Sequence, residues 1–342
     1  MQISRIPQFS FKGYDAAPLK SVYMHRNNDD GIVEDMKTIA KKEDFKLINY
    51  TDKRCRQWAQ DDKFLVGIKH SKPIILRQKE ENYSGFAKTI EKTKGINSKE
   101  PKVFLTGGNM FMGKKENGEK WLIVGADEIS GSGYSKSATL EEITKTYDVK
   151  PENITILNQP NYHLDMTIRP IGYPYVLVYD PKLVAQNLKR YRSKIPKEVY
   201  EENTYFCPNV HSRVYASCDN TVETLKDAGF IPIRIAGVYK FDKYDINYMN
   251  AIVNKHSDDK VSYITNSAKN SHCAIFDRIF ENDLKMAIKN LDKIHFVSGK
   301  ETPDLYNGKN PIMYILKNMY GGIHCMSLEE PDFEKWSKQD DK

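Results

Sequence analysis

The sequence predicts a mixed α/β fold, and three observations carry that reading. Short β-branched and aromatic runs recur along nearly the whole chain, segments with helical spacing of apolar residues separate them, and no Pro/Gly/Ser-rich linker or exact internal repeat interrupts the rhythm. The strand-like runs are PIILR from Pro73, KVFLTGG from Lys102, WLIVGA from Trp121, NITIL from Asn153, YVLVYD from Tyr175, IPIRIAG from Ile231, VSYITN from Val261 and IHFVSG from Ile294. Helical spacing runs from Ile32 to Lys42, Thr139 to Tyr147, Leu183 to Tyr191, Val222 to Ala228, Phe276 to Leu291 and Pro311 to Met319. Thr139 and Glu142 stand at capping-box spacing, and Gly229 is placed to end a helix before Phe230. NYMNAIVNKH, a polar Ser257-Asp258-Asp259 and KVSYITN read as a hairpin. A single domain over 1–328 is expected, followed by a charged tail over 329–342, where apolar periodicity is lost.

The 342 residues are 39% hydrophobic and 29% charged, and 21 Tyr and 14 Phe supply large core side chains. That balance excludes a disordered chain. No window approaches the roughly 18 apolar residues that cross a bilayer, and the opening MQISRIPQFSFKGYD lacks a continuous apolar stretch, so a cytoplasmic protein without a membrane partner is expected. Five cysteines, at 55, 207, 218, 273 and 325, are an odd number without a CxxC pair, which argues against a disulfide framework or a four-cysteine zinc site. The net charge of +6 arises from 52 basic and 46 acidic residues scattered along the chain. The densest basic stretch, from Lys189 to Lys194, reads as the solvated face of one short helix, and nucleic acid is not an expected partner.

Four stretches place reactive or charged groups beside structural punctuation. Trp58-Ala59-Gln60-Asp61-Asp62 precedes the apolar FLVGI, where paired acids ordinarily form a solvated strand end. Thr106-Gly107-Gly108-Asn109 is a double glycine after a strand-like run, as in many plain turns. His163-Leu164-Asp165, read as a strand, points both polar side chains to one face, an arrangement that a simple satisfied pair also explains. Gly321-Gly322-Ile323-His324-Cys325 puts a thiol on a strand-like run behind two glycines, although a lone cysteine is more often an apolar filler.

In order and spacing, WxQD, GGN, HxD and GGIHC together resemble the guanidine-modifying superfamily, which includes the peptidylarginine, arginine and agmatine deiminases, the dimethylarginine hydrolases and the amidinotransferases. WxQD is most similar to the peptidylarginine deiminases, while GGN and GGIHC also resemble the agmatine deiminases. The resemblance spans residues 58 to 325. It implies the pentein fold, a β/α-propeller of five ββαβ-like modules around a pseudo-fivefold axis. It implies no cofactor, and a substrate that is a guanidinium compound or a peptide or protein arginine.

A guanidinium is planar and permanently charged, so carboxylates suit its binding. By resemblance, Asp61 and Asp165 would hold its nitrogens, Cys325 would attack its central carbon, and His163 would protonate the departing nitrogen and then activate water. Trp58 and Asn109 would line the substrate site. One residue of register separates Asp61, which the resemblance favours, from Asp62. Asn250 occupies a stretch resembling the strand that supplies an asparagine near the nucleophile, with Asn247 as its competitor. An extended chain would turn His324 away from Cys325, into a structural role. Thr106 and Asn109 stand where the arginine deiminases carry acids, which points away from strict free-arginine activity. The calcium dependence of animal peptidylarginine deiminases goes with extra domains for which this chain has no room, so no obligatory metal is expected. The carboxylates should also keep the Cys325 thiol protonated until a cation binds. An amidinotransferase using the same intermediate, or a binding protein on the same fold, are the alternative readings.

Overall fold

The computed structural model describes residues 14–25, 29–50, 58–61, 64–66, 73–78, 85–115, 117–160, 162–209, 211–240, 245–256, 260–269, 273–299, 311–312, 315–316 and 321–332. Among the described residues the strands form five three-stranded sheets and one two-stranded ribbon.

The three-stranded sheets share one topology, in which a first strand runs antiparallel to a second, and a helical crossover leads to a third strand parallel to the second. β1 (Leu19–His25), α1 (Asp30–Glu43) and β2 (Lys46–Tyr50) belong to the first unit. β3 (Phe64–Val66), β4 (Pro73–Leu76), α2 (Gly85–Lys94) and β5 (Ser98–Lys99) form the second. β6 (Met110–Lys114), β7 (Lys120–Gly125), α3 (Ala126–Ser130), α4 (Lys136–Tyr147) and β8 (Ile154–Leu157) form the third. The fourth holds β9 (Ile168–Gly172), β10 (Tyr175–Tyr179), α5 (Pro181–Arg190), α6 (Lys197–Asn209), α7 (His211–Asp227) and β11 (Ile231–Ile235). The ribbon of β12 (Val238–Lys240) and β13 (Asp245–Asn247) leads to the fifth, with β14 (Ile252–Lys255), β15 (Val261–Asn266), α8 (Ile275–Ala287) and β16 (Leu291–Val297). β17 (Ser327–Pro331) returns to pair antiparallel with β1 and supplies the missing first strand of the first unit.

Local chemistry explains the boundaries. Asp29 caps α1 by accepting from the backbone N–H groups of Gly31 and Ile32, and Ile32, Met36, Ile39 and Ala40 form its buried stripe. Gly229, at φ +84°, ends α7, and the Phe230 N–H donates back to the Leu225 carbonyl. β7, β10 and β15 are buried along nearly their whole length, as expected of central strands covered on both faces. One apolar cluster joins Met24, Ile32 and Met36 of the first unit to Leu177 and Ile235 of the fourth and Tyr263 and Phe280 of the fifth.

Several expectations change. KVFLTGG is not a strand; the neighbouring strand β6 begins after the double glycine. Thr139 lies inside α4, whose cap is Ser135, accepting from Ala138 N. Residues 329–331 are not a tail, since Glu329 and Glu330 are buried in β17 and paired with Arg169 and with the Tyr23 hydroxyl respectively. Residues 333–342 of the expected tail lie outside the described residues. No helix among the described residues is long and apolar enough to cross a membrane.

Glu43 couples the first and fifth units. Its buried carboxylate lies 2.7 Å from His295 Nε2, 3.1 Å from His256 Nε2 and 3.6 Å from Lys293 Nζ. Burial alone would raise its pKa, but hydrogen bonds from His256, His295 and Ser262 outweigh that and hold it below the ordinary glutamate value. A depressed folded-state pKa means the stabilisation is complete above the unfolded value, about 4.3, and is lost as pH falls below it. Glu43→Gln should therefore lower the unfolding free energy at pH 7 by about 2–4 kcal/mol and flatten the loss of stability below about pH 4. Urea titrations at pH 7 and in the acid range check this, and parallel acid limbs in the two proteins would contradict it.

Candidate active site

All four sequence motifs, and the Asn247–Asn250 segment, lie just before the first strand of a unit. The 3₁₀ turn Ala59–Asp61 precedes β3, Gly107–Asn109 precedes β6, Leu164–Met166 precedes β9, residues 247–250 precede β14, and 321–326 precede β17. One short turn thus comes from the entrance of each unit.

Backbone contacts tie these turns together. Gln60 N–H donates to the Cys325 carbonyl at 3.2 Å. Gly107 packs so closely on the Gln60 carbonyl that a Cβ would fall 1.5 Å from its oxygen, so only glycine fits. Asn109 is buried, and its amide accepts from Leu164 N at 3.0 Å while donating to Glu128 Oε1 at 3.0 Å and to the Tyr162 carbonyl at 3.2 Å. It locks the Gly-Gly turn to the His-Leu-Asp turn. Trp58 lies over Gly321 at the edge of the cysteine turn.

His163 is half-buried and Asp165 and Cys325 are buried, and one donor atom from each lies within 4.8 Å of the others. The motifs reach this arrangement as turns and not as strands: His163 flanks a 3₁₀ turn, and residues 323–326 also form a turn. The alternation rule therefore fails for His324. Its Nδ1 lies 2.7 Å from Asp165 Oδ2, on the same carboxylate oxygen that the Cys325 thiol approaches at 3.2 Å.

Asn250 is the expected asparagine at the thiol. Its Nδ2 donates to Asp165 Oδ2 at 2.9 Å and to Cys325 Sγ at 3.0 Å, and its Oδ1 accepts from the backbone N–H groups of His324 and Cys325. The competing Asn247 instead caps the segment, accepting from the N–H groups of Met249 and Asn250. Asn266, not singled out in the sequence, accepts from Ile323 N at 3.0 Å and donates to the Asn250 carbonyl at 3.1 Å. A Cβ at Gly322 would strike both Asn250 and Asn266. Asp61 contributes its backbone to the turn beside Cys325; its side chain, and Asp62 altogether, lie outside the described residues.

Burial would raise the Asp165 pKa, but the hydrogen bond from His324 and the neighbouring histidines more than offset it, and the group stays below the usual carboxylate range. Burial and the nearby Arg169 push the His324 imidazole down, against the opposing pull of Asp165 and Glu329. Burial, and then the Asp165 charge, push the Cys325 thiol well above its ordinary value. The resting arrangement is a neutral thiol against a carboxylate. Asp165 Oδ1 and His163 Nδ1 are buried without a hydrogen-bond partner among the described residues. The nitrogen, oxygen and sulfur donors of His163, Asp165 and Cys325 are also types that a zinc ion accepts.

The chain shares its α/β fold with solved structures of guanidine-hydrolysing enzymes. The agmatine deiminase of C. jejuni aligns with a TM-score of 0.60 and 14% identity, over 96% of this chain and 98% of that one. The agmatine deiminase of Enterococcus faecalis gives 0.59 and 14%, over 96% and 99%. A candidate peptidyl-arginine deiminase gives 0.60 and 11%, over 95% and 100%. No protein-family model matches the chain, and no curated protein matches it in sequence.

Removing the Asp165 charge should release the thiol. Asp165→Asn should shift the alkylation of Cys325 by iodoacetamide to lower pH, followed by peptide mass spectrometry to separate it from the other cysteines. An unchanged or raised pH profile would mean that Asp165 does not control the thiol.

Proposed function

We propose that this protein is a cysteine-dependent deiminase that hydrolyses a guanidinium group to a ureido product and ammonia. One observation carries the reading: a buried, ionised carboxylate beside a thiol and an imidazole keeps one oxygen, Asp165 Oδ1, without a partner among the described residues. A buried anionic oxygen needs a donor, and a planar cation with paired N–H groups supplies both donor and countercharge. The fold shared with agmatine deiminases supports the same chemistry.

In this reading Asp165, with Asp61 as the second acid, holds the guanidinium nitrogens. The bound cation offsets the carboxylate charge, the thiol pKa falls, and the thiol proton passes to His163. The Cys325 thiolate adds to the central carbon, and His163 returns the proton to the departing nitrogen, which leaves as ammonia. His163 then takes a proton from water as the hydroxide adds to the thiouronium carbon; collapse breaks the carbon–sulfur bond while the hydroxyl proton passes to the sulfur, which restores the thiol and frees the neutral ureido group, and His163 loses its proton to the departing ammonia. Asn250 and the turn residues hold the thiol in line, and Trp58 walls the entrance. The five units of common topology form a propeller around one axis, with the site at the end where their entrance turns meet. Peptide or protein arginine ranks ahead of agmatine, and agmatine ahead of free arginine.

The deciding experiment incubates wild type and Cys325→Ala with a panel of arginine peptides, agmatine and arginine, following ammonia release and the mass of protein and substrate. Wild type should form a covalent adduct and convert one substrate class with a gain of about 1 Da, the change from =NH to =O. Cys325→Ala should do neither. Amidino transfer to added glycine or lysine without ammonia would move the assignment to an amidinotransferase, loss of activity on chelation would assign a metal to the same three side chains, and no turnover of any guanidine would overturn the reading.

A further inference from the structure

The Asp165 carboxylate is held asymmetrically. Three donors converge on Oδ2, from His324 Nδ1 at 2.7 Å, Asn250 Nδ2 at 2.9 Å and the Cys325 thiol at 3.2 Å, while Oδ1 has no partner among the described residues. We infer that His324 is a positioning residue for Asp165, whose imidazole keeps Oδ2 turned into the protein and Oδ1 presented to the bound cation throughout the reaction. The inference rests on the deiminase reading for its kinetic consequence, but its geometry stands apart from it.

The three donors are not equivalent. The thiol ceases to donate once it loses its proton, leaving sulfur and Oδ2 as adjacent anions that repel. Asn250 divides its amide among Asp165, Cys325 Sγ and two backbone N–H groups, so its orientation follows the cysteine turn. His324 alone of the three directs its donor to Asp165 independently of the thiol. Its ring is also fixed from behind. Phe111 stacks on it with ring centroids 6.0 Å apart and planes 28° apart, and Nε2 lies 3.5 Å from Glu329 Oε1. Glu329 is paired with the buried Arg169, which sits over the other ring of that stack, Phe111, at 5.5 Å. A strand from the C-terminal end of the chain thus orients a ring that in turn orients the carboxylate. A histidine serving only to fill the core would need neither the short bond to Oδ2 nor a hydrogen-bond donor at that position.

Two measurements test this, one of which does not depend on turnover. In protein labelled with ¹⁵N at histidine, a strongly deshielded, slowly exchanging imidazole proton should be present, lost in His324→Asn and moved upfield in Asp165→Asn. Its absence, or its indifference to Asp165→Asn, would overturn the inference. Kinetically, His324→Leu should lower kcat/KM for guanidine hydrolysis about 30-fold, the loss expected for a hydrogen bond to a charged group. His324→Asn, whose amide can donate from nearly the same place, should recover most of that loss although both variants melt at similarly reduced temperatures. Equal kcat/KM in the Asn and Leu variants would reduce His324 to a packing role. If the Leu variant does not fold, His324→Gln, which displaces the donor by one carbon, takes its place with the same two outcomes. A wild-type protein with the deshielded proton but no hydrolysis of any guanidine would overturn the proposed function while leaving the His324 contact intact.

Discussion

The structure depends on keeping one carboxylate, that of Asp165, ionised in the interior. Burying an isolated anion costs several kcal/mol, and the usual escape is protonation. Here the imidazole of His324 and the amide of Asn250 replace the lost water and keep the charge in place. A neutral carboxyl would neither hold a cation nor raise the thiol beside it. The polar residues around Asp165, including Asn247 and Asn266, which hold Asn250, can be read as the framework that makes this charge tolerable.

The fold solves the placement problem by repetition. Each unit begins with an antiparallel strand pair, and a short turn before that pair leaves the sheet at the same relative position. Functional side chains separated by more than two hundred residues, such as those of Trp58 and Cys325, meet because equivalent turns of different units meet. The return of β17 to β1 has two consequences in this scheme. It completes the first unit, and it places the cysteine turn, immediately upstream, at that unit's entrance. Cysteine positioning and closure of the chain are therefore the same structural event. The pairing of Glu329 with Arg169 belongs to both.

Much of this was legible in the sequence because the strand cores are continuous β-branched runs and two of the candidate site residues, Asn109 and Cys325, closely follow a double glycine. The runs from Trp121, Tyr175, Ile231 and Val261 correspond to β7, β10, β11 and β15. What was not legible was local conformation at the turns. The alternation of side chains holds only for extended backbone, and the 3₁₀ turn at Leu164–Met166 and the turn containing His324 break it, so alternation wrongly turns His324 away from Cys325. Asn266 gave no local signal, since its partners, Ile323 and Asn250, are brought to it only by the fold. Glu329 and Glu330 look like solvated tail residues by composition, and their partners in distant strands are what make their burial possible.

The same electrostatics bears on the end of the proposed reaction as much as on its beginning. Without a ligand, the charge of Asp165 and burial keep the Cys325 thiol neutral and poorly nucleophilic. In the proposed reaction a guanidinium would cancel that charge and lower the thiol pKa, so that the substrate would create the nucleophile that attacks it. The ureido group carries no charge. It leaves Asp165 uncompensated, the thiol recovers its proton, and the attraction that held the substrate is gone. In this reading, conversion of a cation into a neutral group would supply a difference in affinity between substrate and product, through the one carboxylate around which the candidate site is built.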